Sequence, residues 1–494
     1  LLTAKTVTDH TTGVAVTTAY TYDSGQLRTL KPLSEAVTNS DGKEAKTVYT
    51  YPFGMSTSPY TAMTNANRVD TPVKEEYYYG NILQRTRETT YGVFNSTMHL
   101  PASLKEKLGS TTRTLVTYDQ YDSAGNLRYA TTVDGRKFVF LWGYGNRYPV
   151  AAIEGLTWSQ VQSTAGTTLI NNLASCTTSN ASTYLSSLRS AIVSPTSLAS
   201  YPHLVTTYTY TPGIGIASET TPDGAAKSYT YDALGRLSAI SDNQGEVETY
   251  TYSFASGSGT VWTPNRILRS VKKNASASDT QRIESSVWYD GLGRPFEELS
   301  SAATPAQSNL LSRTDYDLAG RQTRQWLPVV TASDFLSDSA FTSAADSTYG
   351  GSETRPFSEN VYEASALDRV PYTYGPGAAW YAASGGGHPV RTEWLGNTAS
   401  GVTACKYYFV NGTAMAGGST NYAAGSLSVV RTTDEDGAVS LAFTDKLGRT
   451  VMERQVDGSA YSDTYYVYDG RGQLRFVLQP QYQVSANLAQ FAFQ

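Results

Sequence analysis

"DGAAKSYTYDALGRLSAISDNQGEVETYTY", residues 223–252, contains its own echo. Tyr229 and Tyr231 return as Tyr250 and Tyr252, and Gly224 returns as Gly245, each 21 residues later. Between the tyrosine pairs lie two turn signals, "DALGR" and "DNQG". An Asp or Asn side chain bonds the backbone two residues on, and Gly accepts positive φ without strain. The unit therefore reads as strand, tight turn, strand. Two strands of about six residues fill it, near the usual strand length.

The same turn recurs along the chain. Full copies are "YDSAGNL" from Tyr121, "YDALGRL" from Tyr231, "YDGLGRP" from Tyr289, "YDLAGRQ" from Tyr316 and "YDGRGQL" from Tyr468. They place Asp122 and Gly125, Asp232 and Gly235, Asp290 and Gly293, Asp317 and Gly320, and Asp469 and Gly472 at repeat turns. Degenerate copies are "YDSGQL" from Tyr22, one residue short, and "TDKLGRT" from Thr444. Chained hairpins of this kind predict an all-β protein, a long antiparallel meander. Its faces look polar: in "EVETYTY" Glu246, Glu248, Tyr250 and Tyr252 share one side, and Val247, Thr249 and Thr251 the other. Neither is the dense aliphatic face of a tight sandwich core, so the expected product is a curved wall rather than a collapsed core. The competing arrangement is a set of ordinary sandwich domains with degenerate spacing.

Composition agrees with strands. The 494 residues include 37 Tyr against 14 Phe, 41 Gly and only 16% charged residues. Tyr favours strands and Gly supplies turns. A net charge of −5 argues against nucleic acid, which wants a basic stripe. Two cysteines make neither a disulfide scaffold nor a zinc site. No apolar run reaches the roughly 18 residues of a membrane span. The chain opens on "LLTAKTVTDH" without Met and closes on "LAQFAFQ", and both ends read as cuts through a longer protein.

Chemistry-bearing residues do not converge in the sequence. His10, His99, His203 and His388 have no metal-ligand spacing. "DEDG" from Asp434 lacks the alternation and trailing Glu of a calcium loop and reads as a turn. "GSGT" from Gly257 and "SGGG" from Ser384 lack the Lys-Ser/Thr of a phosphate loop. Each repeat Asp is needed in every unit, whereas a catalytic residue is needed once. Arg236, Arg294, Arg321 and Arg449 follow their turn glycines and are expected to bond neighbouring turns or carboxylates. The expectation is a protein without catalytic, cofactor or metal site. An enzyme such as a glycosidase would need two carboxylates about 5–10 Å apart in a cleft.

The recurring YDxxGR(L) resembles the YD-repeat family, the RHS proteins of bacteria, and more distantly Tc-toxin B/C components and teneurins. "FLWGYGNRYPVAAIEG" from Phe140, "WYDGLGRPFEELS" from Trp288, "RPFSENVYEASALDRV" from Arg355 and "GPGAAW" from Gly375 resemble a Bacteroidetes-type branch. The resemblance implies a sheet ribbon coiled into a hollow shell that encloses or presents a C-terminal toxin or effector. It also implies export, to the medium or the cell surface. Partners would be the chain's own downstream domain, other segments of the parent, or secretion machinery. The family's DPxG self-cleavage element is not among these residues. The alternative is a cell-surface adhesin that binds glycans or proteins through exposed tyrosines.

Along the chain, residues 1–155, 201–329 and 431–494 read as repeat strands. Residues 156–200 read as a small helical insertion, with Thr157 as a cap, Tyr184, Leu185, Leu188 and Ile192 at helical spacing, and Pro195 as a stop. Residues 330–430 read as irregular strands and loops. Sizeable helices are expected only between about residues 157 and 194.

Overall fold

A computed structural model of the chain describes residues 1–23, 29–193, 198, 200–258, 261–274, 281–351, 353–382 and 386–493. The short copy from Tyr22, the stop at Pro195 and parts of both Gly-rich loops lie outside them. Antiparallel strands dominate, as the alternating sequence predicts. No described helix is long and apolar enough to cross a membrane.

The chain forms two compact units. One comprises residues 1–125, 130–135 and 390–494; the other comprises residues 126–129 and 136–389. In the first, consecutive strands pair antiparallel from Ala4–Thr8 through Ala15–Thr21, Ser34–Thr38, Glu44–Thr50, Lys74–Tyr79, Ile82–Phe94 and Met98–Leu108 to Thr111–Tyr121. A second ladder runs from Val390–Gly396 through Ser428–Thr433, Val439–Thr444, Thr450–Asp457 and Ala460–Tyr468 to Leu474–Leu478. The hairpin Lys406–Asn411/Ala414–Asn421 stands apart as its own two-stranded sheet.

The other unit is one unbroken meander from Lys137–Gly143 to Tyr372–Tyr374, each strand paired with the next along the ladder. Among the described residues a short hairpin, Ser256–Ser258 with Val261–Thr263, and two helical excursions leave it and return. Helices Trp158–Ala165, Thr167–Ala174 and Ala181–Val193 lie between strands Tyr148–Glu154 and Leu204–Thr211, which pair directly with each other. Thr157 starts the first helix with a capping box: its Oγ1 accepts from Gln160 N–H, and Gln160 Oε1 accepts from Thr157 N–H.

The second excursion corrects the sequence reading. A helix spans Asp338–Tyr349, inside the stretch read as strands and loops. In its sequence, "DSAFTSAADSTY", Ala340, Phe341, Ala344, Ala345 and Tyr349 keep helical spacing, but small alanines make a faint stripe and Ser, Thr and Asp are weak helix formers. Packing decides instead. Phe341 and Ala345 are buried against Leu299, Leu311 and Val329 of three strands, and Gly350 in the left-handed region ends the helix. The "PFSENV" segment is also part of the ladder: Phe357–Val361 pairs with Gln322–Thr331 on one side and Tyr372–Tyr374 on the other.

Burial divides the sheet unevenly. Among residues 223–253 only Ala239 is buried, in keeping with the polar faces of the opening repeat. Elsewhere the expectation of faces too polar for a core is corrected by compact apolar clusters. Val139, Leu141, Val150 and Ile153 pack under the three helices with Leu173, Leu185, Leu188 and Ile192. Val429, Leu441, Phe443, Met452, Tyr465, Val467 and Phe476 line one face of the C-terminal ladder, which the 406–421 hairpin covers through Tyr408, Val410 and Met415. Where a helix or hairpin lies on the wall, alternation supplies an aliphatic face. Both free cysteines, Cys176 and Cys405, are buried within these clusters.

Phe341 makes an edge-to-face contact with Trp326 at 5.5 Å and anchors the second excursion. Phe341→Ala should destabilise its unit by about 3–5 kcal/mol. A denaturant midpoint unchanged from wild type would show that the helix is not packed there.

Candidate functional site

Each repeat turn is built the same way. In the copy at Asp232, Gly235 N–H donates to Asp232 O and Asp232 N–H donates to Arg236 O, at 3.0 and 2.8 Å. Gly235 has φ +77°, and the strand register shifts at Tyr231. This is a type I turn closed by a glycine bulge, the usual form of a three-residue hairpin loop. Asp232 Oδ1 accepts from Leu234 N–H and Arg236 N–H, both at 2.9 Å. The same carbonyl and carboxylate bonds recur at Asp290, Asp317, Asp445 and Asp469. Asp122 Oδ1 accepts from Ala124 N–H, and Gly125 N–H donates to Asp122 O. Gly125, Gly293, Gly320 and Gly472 have φ of +88°, +79°, +86° and +78°. Asp434 of "DEDG" forms this turn as well, its Oδ1 accepting from Asp436 and Ala438 N–H.

The second carboxylate oxygen serves the arginine. Arg236 Nε and Nη2 reach Asp232 Oδ2 at 2.7 and 2.6 Å, and Arg294, Arg321 and Arg449 do the same to Asp290, Asp317 and Asp445. The backbone N–H of Arg236 and then its guanidinium hold the Asp232 carboxyl below the usual range. A tyrosine from later in the chain then covers each guanidinium. Tyr252, Tyr316, Tyr362 and Tyr468 lie 4.1–5.0 Å from Arg236, Arg294, Arg321 and Arg449, within cation–π range. Their hydroxyls donate to the carbonyls of Leu237, Pro295, Gln322 and Thr450, in each case the residue after the arginine. The arginines were expected to bond neighbouring turns or carboxylates across strands; each bonds the carboxylate of its own turn and is roofed by the next tyrosine, and Arg321 also reaches Asp368 of the neighbouring turn at 3.4 Å.

This geometry exposes a copy that sequence reading missed. Tyr362 precedes Glu363 rather than Asp, and Glu363 N–H donates to Arg369 O across a longer loop. Asp368, with φ +52°, takes the place of the turn glycine. The signal was the "YE…DR" pattern, hidden by two extra loop residues.

Glycine is required in these turns by conformation rather than by space. Gly235→Ala should lower stability by about 1 kcal/mol or more. The neighbouring-copy control Gly291→Ala, at a position without positive φ and with open space around it, should stay within about 0.5 kcal/mol. Equal denaturation midpoints for the two variants would exclude the bulge.

Two clusters lie outside the predicted turn residues. In the first unit, the 39–43 hairpin meets residues far along the chain. Asn39 Nδ2 donates to Tyr79 Oη and Asp445 Oδ2 at 2.9 and 3.2 Å, and Tyr79 Oη donates to Asp41 Oδ2 at 2.8 Å. Ser40 Oγ donates to Ser426 O and accepts from Lys446 N–H. Burial pushes the Tyr407 phenol up to about 12, with the Asp41 charge adding to it. These contacts join positions up to 406 residues apart, which no local pattern announces.

In the other unit, Arg313 gathers three carboxylates: Asp338 at 2.5 Å, Asp315 at 3.1 Å and Glu297 at 3.5 Å. Trp326 Nε1 donates to Asp315 Oδ2, and Leu336 N–H to Glu297 Oε2. Glu297 is fully buried, and its Oε1 has no hydrogen-bond partner. Burial pushes its carboxyl up to about 7; the Leu336 N–H and Arg313 oppose the rise, and the Asp338 charge adds to it. A carboxyl raised in the fold contributes stability below its unfolded value and loses it as pH rises. Glu297→Gln should therefore match wild type near pH 4 and become progressively more stable than it between about pH 4.5 and 7. Thermal melts across that range that show a constant difference would refute the assignment.

The repeat turns decide the relationship. A family model described as the RHS repeat matches residues 215–247, which hold the Asp232 turn, and a model described as a domain of unknown function, DUF6443, matches residues 260–393. The chain carries an RHS repeat. None of the curated protein sequences matches it. Its fold is similar to the crystal structure of TcdB2-TccC3-TEV, with TM-score 0.54 and 9% identity over 96% of this chain and 28% of that one. It is likewise similar to TcdB2-TccC3 without hypervariable C-terminal region, with TM-score 0.55, 9% identity and the same coverage. At such identity the likeness is one of fold. The chain thus spans little more than a quarter of those structures' length.

Proposed function

We propose that this chain is a non-catalytic wall segment of a larger exported bacterial RHS protein, which encloses or presents a C-terminal toxin or effector. The observation that carries the reading is the fold likeness to the TcdB2-TccC3 structures across 96% of the chain. One of those is of a form without hypervariable C-terminal region, and the proposal gives this chain's parent a comparable variable part. The residues support a mechanical role. Their conspicuous polar groups are spent on turns: carboxylates on backbone N–H groups, arginines on those carboxylates, tyrosines on the arginines. The chemistry of the segment is to hold a long ladder in register, and its partners are the rest of its own chain and the export machinery.

Protease protection tests this. In the parent protein, the region following residue 494 should resist digestion while the wall is intact, and be cut rapidly when expressed without the wall. Equal digestion rates in the two forms would refute enclosure.

A further inference from the structure

The two edges of the unbroken meander differ. Its strands alternate in direction, so every second return of the chain falls on the same edge. The returns that begin at Pro212, Asp232, Phe254, Asp290, Asp317 and Tyr362 share one rim. Each presents an exposed large apolar side chain: Ile214, Leu234, Phe254, Leu292, Leu318 and Leu367. On the opposite edge, returns 221–225, 243–244 and 301–308 hold no large apolar residue.

The row is continuous along the rim. Ile214 lies against Gly235, and the Phe254 ring sits 5.1 Å from the Arg236 guanidinium. Arg294 lies beside Gly320, and Arg321 reaches Asp368. The six apolar residues expose on the order of 800 Å2, about what one partner contributes to a standard interface. Monomers rarely leave so much apolar surface together.

The turns themselves do not need these leucines. Asp and Gly set the loop, and other copies hold Ser123 and Ala124, Glu435 and Asp436, or Gly470 and Arg471 at the same two positions. Leu447, in the copy at Asp445, shows what such a leucine does when another ladder meets it. It is half-buried, and it lines a cavity of about 330 Å3 with Val37, Ala45 and Tyr77 of the N-terminal ladder. Beside it, Lys446 N–H donates to Ser40 Oγ at 2.9 Å. A leucine at this position is a contact residue, and along the rim it is left in the open.

Charge and spacing identify the partner. At Asp232, Asp290 and Asp317 the arginine clamp neutralises its own tip. Those tips therefore offer no surplus cation to an anionic lipid surface and no like charge to repel an identical rim. Tips recur every two strands, about 9–10 Å. A facing side chain midway between two tips lies within about 5 Å of both, near contact distance. A second row with the same period, run antiparallel, fills the gaps of the first, as a two-fold interface requires.

We propose that this rim is a self-association surface, on which a second copy of the chain docks about a two-fold axis with its own apolar row. The surface is independent of the enclosure reading, since a wall with or without cargo would carry it.

Sedimentation velocity of residues 1–494 over about 1–100 µM tests the proposal. Wild type should pass from monomer to dimer within that range. Leu234→Asp, Leu292→Asp and Leu318→Asp combined should weaken the dimer at least about a hundredfold. Circular dichroism and the thermal midpoint should stay unchanged, because all three side chains are exposed. Ile283→Asp, at an exposed apolar residue of the opposite edge, should associate like wild type. The proposal is overturned if wild type is monomeric throughout, if the triple variant dimerises as well, or if Ile283→Asp is equally damaging. It is also overturned if wild type stays monomeric yet co-sediments with phosphatidylcholine–phosphatidylglycerol vesicles and the triple variant does not, which would assign the rim to lipid.

Discussion

The clamped corners of the meander, at Asp232, Asp290, Asp317 and Asp445, depend on one arrangement: an aspartate carboxylate that serves the turn backbone with one oxygen and an arginine with the other. A tight hairpin leaves N–H groups at its tip pointing inward, where they lack strand partners. Oδ1 satisfies two of them, and glycine three residues on supplies the left-handed conformation that lets the chain return. The guanidinium on Oδ2 then fixes the carboxylate's orientation and neutralises its charge. Tyrosine completes the unit by covering the guanidinium and satisfying the carbonyl beyond it. In a clamped copy, each side chain of the YDxxGR signature thus answers a need created by another.

This explains why so tyrosine-rich a chain has a well-specified structure where few residues are buried. In the opening repeat the aliphatic contribution is small, and neighbouring hairpins are tied by polar contacts whose geometry is fixed. A stacked ring needs less burial than an aliphatic side chain to be held, because its hydroxyl is anchored at the far end. Apolar clusters take over where helices or the 406–421 hairpin cover the sheet.

Local chemistry was legible in the sequence; non-local pairing was not. The turns at Asp122, Asp232, Asp290, Asp317 and Asp469 follow from residue type and spacing alone, and so does the capped helix after Thr157. The tyrosine roof was hidden because its distance from the arginine varies, from Arg236 to Tyr252 in one copy and from Arg321 to Tyr362 in another. What is constant is adjacency across the ladder, and an excursion may separate the two partners in sequence. The helix Asp338–Tyr349 was missed because tertiary packing overrides its weak propensity. Glu297 and Arg313 carry no signal in the sequence, since nothing in a strand pattern tells a buried carboxylate from an exposed one.

The strands that flank the three-helix excursion are hydrogen-bonded to one another, Glu154 opposite Leu204, as if the residues between them did not exist. The helix Asp338–Tyr349 likewise hangs between strands whose pairing, Trp326 opposite Phe357, continues past it. Ladder and ornament are therefore separable. Such a frame can gain, lose or exchange the segments suspended from it without resetting its register, so novelty can accumulate at the connections while the load-carrying lattice stays the same. For an engineer, these two junctions are natural grafting points.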